Sequence, residues 1–448
     1  MLDLRTVYQW LPNVTMFGSG AERFTGISTD SRSVRPGDLY IALRGDRFDG
    51  HAFIDAAIDA GAAAVLTEVF PEHVRVPTLW VPDTRRALGA LAGGWRRRFE
   101  CPLIAVTGSN GKTTAKEMIA AILVAHLGAE AAFATRGNFN NDIGVPLTLL
   151  RLRDEDRYAV IEMGANHSGE IAALVALARP DVALITNVAP AHLAGFGTLE
   201  GVIAAKSEIY AHSDGAIVLN LDLPAAARWQ DQFRDRPQYT FSLNIDADVT
   251  AHDLAADGSR FVLRVDGSDY PVTWQLAGRH NIMNALAACT AARLAGVTGA
   301  QMQATLTGLA LHQSRLAAIR VGAHTIYDDT YNANPASFKA AIDVLAAAPQ
   351  SLIIAGAMGE LGAEEVALHH DVATYAATRG ISVFWSVGDG LAQEYGADRH
   401  FADTASAGAA LAAYLADAPA TVILVKGSRS ARMEGVLAAA GLTAAAGH

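Results

Sequence analysis

The apolar run Leu103-Ile-Ala-Val106, followed at once by Thr107-Gly-Ser-Asn-Gly-Lys-Thr-Thr114, constrains this chain more than any other stretch. Met118, Ile119, Ile122 and Leu123 then recur at helical spacing, so the order is strand, glycine loop, helix. That order brings backbone N–H groups and the positive end of a helix to one point, where a phosphate is held. Gly108 and Gly111 let the backbone approach phosphate oxygens, Lys112 reaches the outer phosphates, and the Thr113 hydroxyl suits Mg²⁺. The standard loop begins with a Gly where this chain has Val106, so the loop from Thr107 through Ser109, Asn110 and Thr114 is a shortened variant. The competing reading is a fortuitous Gly-Lys-Thr at a helix cap, and the strand before it argues against that.

Strand-length apolar runs alternate with Ala- and Leu-rich helical stretches along most of the 448 residues. That pattern predicts an α/β protein with parallel sheets, and at roughly 150 residues per domain, three domains. We expect a first unit over 1–83, with a turn-rich stretch around Ser28–Asp38 and a strand at Leu39–Leu43. The second, 84–315, opens with a helix over Arg85–Arg98 and holds the glycine loop. Within it, 237–276 changes character: Phe261–Val265 and two Asp-Gly-Ser turns suggest an antiparallel patch. The third, 316–448, repeats strand–helix pairs at Leu352–Ala355, Val383–Val387 and Val422–Val425.

Composition removes several classes of function. A formal net charge of −11, from 35 basic and 46 acidic residues, argues against non-specific nucleic-acid binding. The one basic cluster, Arg96-Arg97-Arg98, reads as the solvated end of a helix. No apolar run approaches the roughly 18 residues of a membrane span. The start carries Asp3 and no basic-then-apolar signal, so export is not expected. Cys101 and Cys289 are too few for a disulfide framework or a thiolate zinc site, which points to a soluble protein of a reducing compartment.

Three further residues stand where a phosphate site needs them. Tyr158-Ala-Val-Ile161 ends at Glu162, and Val182–Ile185 leads through Asn187 to His192; strand ends of this kind are where open α/β sheets bind ligands. Each is weak alone, since a strand-end Glu and a lone His are often structural. Lys206 is more pointed. Leu199, Val202, Ile203, Ile209 and Tyr210 form a helical stripe, and Lys206 falls inside it. Burial there would favour the neutral amine, unless the lysine snorkels to solvent.

With these residues in hand, the chain resembles the ATP-dependent Mur ligases of peptidoglycan synthesis. The resemblance rests on the loop Thr107–Thr114, Gly137-Asn-Phe-Asn-Asn-Asp-Ile-Gly-Val-Pro146, Glu162-Met-Gly-Ala-Asn-His167 and Gly278-Arg-His-Asn-Ile-Met-Asn-Ala285. Asn138–Pro146 and Asp328-Asp-Thr-Tyr-Asn-Ala-Asn-Pro335 are similar to the branch that joins D-alanyl-D-alanine to UDP-N-acetylmuramoyl-tripeptide. It runs from Thr29-Asp-Ser-Arg32 to Lys426-Gly-Ser-Arg-Ser430. It implies a UDP-sugar-binding domain, a central P-loop ATPase-type domain and a C-terminal Rossmann-like domain, in a monomeric enzyme of the bacterial cytoplasm.

The resemblance also implies roles. Thr113 and Glu162 match metal-binding positions, His192 the ligand of a second Mg²⁺, and Lys206 the lysine that reacts with CO₂ to give a carbamate. Asn281 matches the adenine contact, Asp329 the ribose-binding acid and Arg315 a linker arginine reaching the phosphates of ATP. Asp30, Ser31, Arg32, Arg47, Phe48, Asp49 and His51 resemble the UDP-binding segment. Asn138, Asn140 and Asn141 resemble residues facing the muramoyl peptide, and Tyr331, Asn332 and Asn334 the side of the incoming dipeptide. Two positions depart from the family pattern: Ser314 precedes the linker arginine where Gly is usual, and Ala357 stands where Asp is common. Rival readings are another amide ligase of this architecture (folylpolyglutamate synthase included), a nucleotide switch, and a silent binding homologue. The lack of an Asn-Lys-x-Asp motif weighs against the switch, and intact Lys112, Glu162, His192 and Lys206 against the silent homologue.

Overall fold

A nine-stranded sheet sits between a five-stranded and a six-stranded one along the chain, each built from its own stretch of sequence. The computed structural model describes residues 2–19, 23–45, 48–129, 132–190, 192–309, 316–346 and 348–442. In the first sheet the order is Thr15–Phe17, Thr78–Trp80, Ala64–Thr67, Leu39–Ile41, Ile27–Ser28, with the last four strands parallel. In the third, Ala317–Val321 is antiparallel to His324–Asp329. Val422–Lys426, Ser351–Gly356, Val383–Val387 and Arg399–Phe401 then follow in parallel.

The middle sheet sets the site. Its order is Ala132–Ala134, Tyr158–Glu162, Leu103–Thr107, Val182–Ile185, Ala216–Asn220, Gln238–Ser242, Val249–His252, all parallel, and then Arg260–Val265 and Ser268–Thr273, antiparallel. Both faces of the parallel part are covered, as parallel sheets require. Met118, Ile119 and Ile122 of the helix Lys112–Leu127 pack with Leu286 and Cys289 on one face, and Ile171, Leu174, Val202 and Ile209 cover the other. The expected antiparallel patch is the hairpin turning at Asp266-Gly267, where both residues have positive φ, as a two-residue turn of that hand demands.

The helix expected over Arg85–Arg98 spans Thr84–Arg96, and its basic end is not uniformly solvated. Arg97 and Arg98 are exposed, but Arg96 is buried. Its guanidinium donates to the carbonyls of Ala178, Phe99 and Cys101, which a fork of N–H donors can satisfy together. Likewise Leu199, assigned to the apolar stripe, is exposed at the start of its helix, while Val202, Ile209 and Tyr210 are buried. Among the described residues no helix is long and apolar enough to cross a membrane.

Candidate active site

Register brings the loop and two strand ends together. Val106 pairs with Glu162 on one side, and Thr107 with Ile185 on the other. The chain therefore leaves the central strand in both directions, and the crevice at such a switch point opens above its carboxyl end. A cavity of about 510 Å³ lies there, lined by the loop from Ser109 to Thr114 together with Glu162 and His192.

The loop is held from three sides. Gly111 has φ +75°, and a Cβ on it would stand 2.2 Å from Asn284 Oδ1, so both conformation and room require glycine. Asn187 takes up two loop amides: its carbonyl accepts from Ser109 N and its Oδ1 from Asn110 N. An α-helix supplies no partner to its first-turn N–H groups, here those of Thr113 and Thr114, so they suit an anion. Lys112 Nζ folds across the loop to the carbonyls of Gly108, at 2.8 Å, and Ser109. Thr107, expected at the nucleotide, is fully buried instead, its hydroxyl donating to Met163 O.

Glu162 is 1% exposed, and both carboxylate oxygens accept from neutral side chains, Thr113 Oγ1 and Asn140 Nδ2, each at 2.7 Å. A buried carboxylate beside a hydroxyl at a phosphate loop is a hard-oxygen donor pair, and it fits Mg²⁺. That ion takes one or two protein oxygens and draws its other ligands from phosphate and water. Among the described residues no three His, Cys, Asp or Glu side chains form a cage.

Lys206 is 1% exposed on the helix Leu199–Ala211, behind the cleft wall. Its Nζ lies 5.4 Å over the Phe196 ring, which meets the His192 ring edge-on at 6.4 Å. Burial first, and the Lys112 charge second, lower its pKa to about 7. His192, at positive φ, turns its Nδ1 against the carboxylate of Glu360 from the third domain. That contact and burial compete at Glu360, and His192 wins, holding the carboxyl below its usual value.

The third domain supplies the far wall. Asp329 ends one strand and Lys426 the next; Lys426 Nζ lies 2.5 Å from Asp329 Oδ2 and also donates to Asn332 O. Tyr331, Asn332 and Asn334 line the same cavity, as do Asn138, Asn140, Asn141 and, from the helix Arg279–Arg293, Asn281. Asn281 is buried and donates to Ala277 O. Arg315 and Ser314 lie outside the described residues. Ala357 contributes only its carbonyl, which accepts from Ser428 N, so no side chain there reaches the cavity.

The expected sugar-nucleotide residues are not in this cavity. They gather at the carboxyl ends of the first sheet's parallel strands. Arg32 clasps Asp30 through Nε and Nη2, and the exposed pair carries Asp30 down to about 2, the Arg32 side chain acting first. Ser31 lies between them in sequence and is half-buried. Asp49 accepts from His51 N, its Oδ1 lies 2.6 Å from His51 Nδ1, and His51 Nε2 accepts from Glu68 N. Phe48 stacks on Phe53, both exposed; Arg47 lies outside the described residues.

Sequence reasoning missed Glu360, Lys426 and Asn187 as parts of the site. Lys426 carried a usable signal: a lysine ending the apolar run Val422–Val425, one strand over from Asp329. Glu360 carried none, because its partner comes from another domain.

Strand, glycine loop and helix over an acid-ended neighbouring strand define a P-loop nucleotide-binding protein. Three family models match in order: the Mur ligase family catalytic domain over 23–96, the Mur ligase middle domain over 106–292, and the Mur ligase glutamate ligase domain over 314–429. A UDP-N-acetylmuramoyl-tripeptide–D-alanyl-D-alanine ligase of Escherichia coli is 43% identical over 423 residues, covering 92% of this chain and 93% of that one. Its Mycobacterium tuberculosis counterpart is 33% identical, over 92% of each. Among solved structures, MurF of Acinetobacter baumannii superposes with a TM-score of 0.90 at 34% identity and 98% coverage of both chains. MurF of Thermotoga maritima in complex with ADP gives 0.82 at 28%, over 93% of this chain and 96% of that one. The chain belongs to the Mur ligase family.

Proposed function

We propose that this protein joins D-alanyl-D-alanine to the terminal carboxylate of UDP-N-acetylmuramoyl-tripeptide, with ATP as the source of activation. One observation carries the reading: the phosphate loop, the Asn138–Asn141 segment and the Asp329–Asn334 segment of another domain converge on a single cavity. Nucleotide, acid and amine can therefore meet at one place. Domain boundaries near 83 and 315 suit this arrangement, as does work as a monomer in the cytoplasm, where ATP is supplied.

A carboxylate is a poor electrophile, so it must be activated first. Its oxygen attacks the γ-phosphorus, the P–O bond to ADP breaks, and an acyl phosphate forms. The neutral amine of the dipeptide then adds to the acyl carbon, and phosphate leaves with the C–O bonding pair as the amine loses its proton. Lys112 and the first-turn amides stabilise charge spreading over the phosphoryl oxygens. Arg315 adds a second cation at the phosphates. Thr113, Glu162 and His192 would hold Mg²⁺, two ions in all, which neutralise phosphate charge when bound. The Lys206 amine would add to CO₂ with loss of a proton, and the resulting carbamate, an anion in place of a cation, would join Thr113, Glu162 and His192 in holding Mg²⁺. Asn281 and Asp329 hold adenine and ribose; Asp30, Arg32, Asp49 and His51, with Ser31, Arg47 and Phe48, hold the UDP end. Asn138, Asn140 and Asn141 face the peptide, and Tyr331 and Asn332 the dipeptide.

Phosphate release from Mg-ATP tests this reading. It should require UDP-muramoyl-tripeptide and rise sharply with D-alanyl-D-alanine. Release that ignores the dipeptide, or that a single amino acid supports equally, contradicts it.

A further inference from the structure

Asn334 caps the helix Pro335–Leu345: its Oδ1 accepts from Ser337 N at 2.9 Å, and Ser337 Oγ accepts from Asn334 N in return. A backbone N–H can only donate, so this contact fixes which end of the Asn334 amide is oxygen. The other end is therefore a donor. It lies 2.6 Å from Asn110 Oδ1, on the glycine loop of the neighbouring domain. The same logic then fixes Asn110. Its oxygen faces the third domain, so its NH₂ group occupies the opposite branch of the planar amide. Among the described residues no protein group accepts from that nitrogen, and Asn110 lines the cavity.

The backbone around it makes this donor matter. The Ser109 and Asn110 amides are already committed to Asn187, so neither is offered to a phosphate. The Asn110 side chain is a further donor at that end of the loop, and its orientation is set from another domain.

We infer that Asn334 is a positioning residue for the phosphate loop: by donating to Asn110 Oδ1 it turns the Asn110 NH₂ into the cavity as a phosphate donor. The loop is then complete only while the third domain is docked on it, which links nucleotide engagement to the domain that faces the amine substrate. The inference rests on the reading of the cavity as an ATP site.

Two substitutions separate this role from helix capping, because Asp and Ser both cap as Asn does. Asn334→Asp keeps the cap but faces Asn110 with an acceptor. The Asn110 amide must flip, and its carbonyl oxygen then meets the phosphates. Asn334→Ser keeps the cap and leaves Asn110 free to rotate. Steady-state kinetics should show kcat/KM for ATP falling roughly ten- to hundredfold in Asn334→Asp, the scale of a hydrogen bond to a charged group. The Ser variant should fall only about two- to fivefold. Melting temperatures, and KM for the sugar nucleotide and for D-alanyl-D-alanine, should stay at wild-type values. On an Asn110→Ala background the Asp substitution should have no further effect, since it acts only through Asn110. Wild-type kinetics in Asn334→Asp, a change confined to KM for the dipeptide, or an undiminished loss on the Asn110→Ala background each overturn the inference. A wild-type protein that releases no phosphate from ATP overturns the ligase reading beneath it, and the inference with it.

Discussion

The two places where this chain gathers charged and polar groups are built on opposite plans. Around the glycine loop they are buried or half-buried and tied across long stretches of sequence: Thr113 and Asn140 to Glu162, Lys426 to Asp329, Asn334 to Asn110. At the first sheet they are largely exposed and tied to near neighbours, Asp30 to Arg32 and Asp49 to Arg44 and His51. The first plan fixes donors before a ligand arrives, so little reorganisation is needed as charge develops. The second leaves groups paired with one another until a ligand competes for them, and exposed pairs of that kind hold little energy. One region is set up for chemistry and the other for holding on.

That contrast can be broken by mutation. Lys112→Met should lower turnover roughly a thousandfold while binding of the sugar nucleotide, measured by calorimetry, stays unchanged. An equal loss of sugar-nucleotide affinity would merge the two regions. A pH experiment probes the buried plan without substrate. His280 lines the cavity, and burial depresses its pKa to about 4. Between that value and the usual 6.5, the unfolded chain binds a proton that the folded one refuses. Stability is therefore retained above about 6.5 and falls as pH drops toward 4, by at most about 3 kcal/mol from this group. Urea unfolding at several pH values should show a shallower acid slope in His280→Asn, and parallel slopes would deny that the half-buried imidazole is held neutral. The smallest effect belongs to the exposed plan. Arg32→Ala should raise KM for the sugar nucleotide severalfold, with kcat and melting temperature unmoved; a fall in kcat would make the first domain part of the chemistry.

How far each plan was legible in sequence follows from the same physics. The loop Thr107–Thr114 reads directly, because a strand, two glycines and a helix start are local and leave few alternatives. Lys206 was legible for a related reason: a lysine inside an apolar stripe contradicts the periodicity around it, and it is buried. Periodicity misleads at helix ends, where Leu199 is exposed and Arg96 turns inward to three carbonyls. Contacts between domains left no trace. Nothing near Glu360 announces His192, and the Asn-Ala-Asn-Pro run that reads as substrate-facing hides a cap whose second hand reaches Asn110.

The central claim is that phosphate passes from ATP to a carboxylate before the amide bond forms. If the terminal carboxylate of UDP-muramoyl-tripeptide carries ¹⁸O in both oxygens, one labelled oxygen should leave with each inorganic phosphate and the other should stay in the amide product. Unlabelled phosphate, with the label found in AMP or retained in full on the unreacted acid, would contradict it.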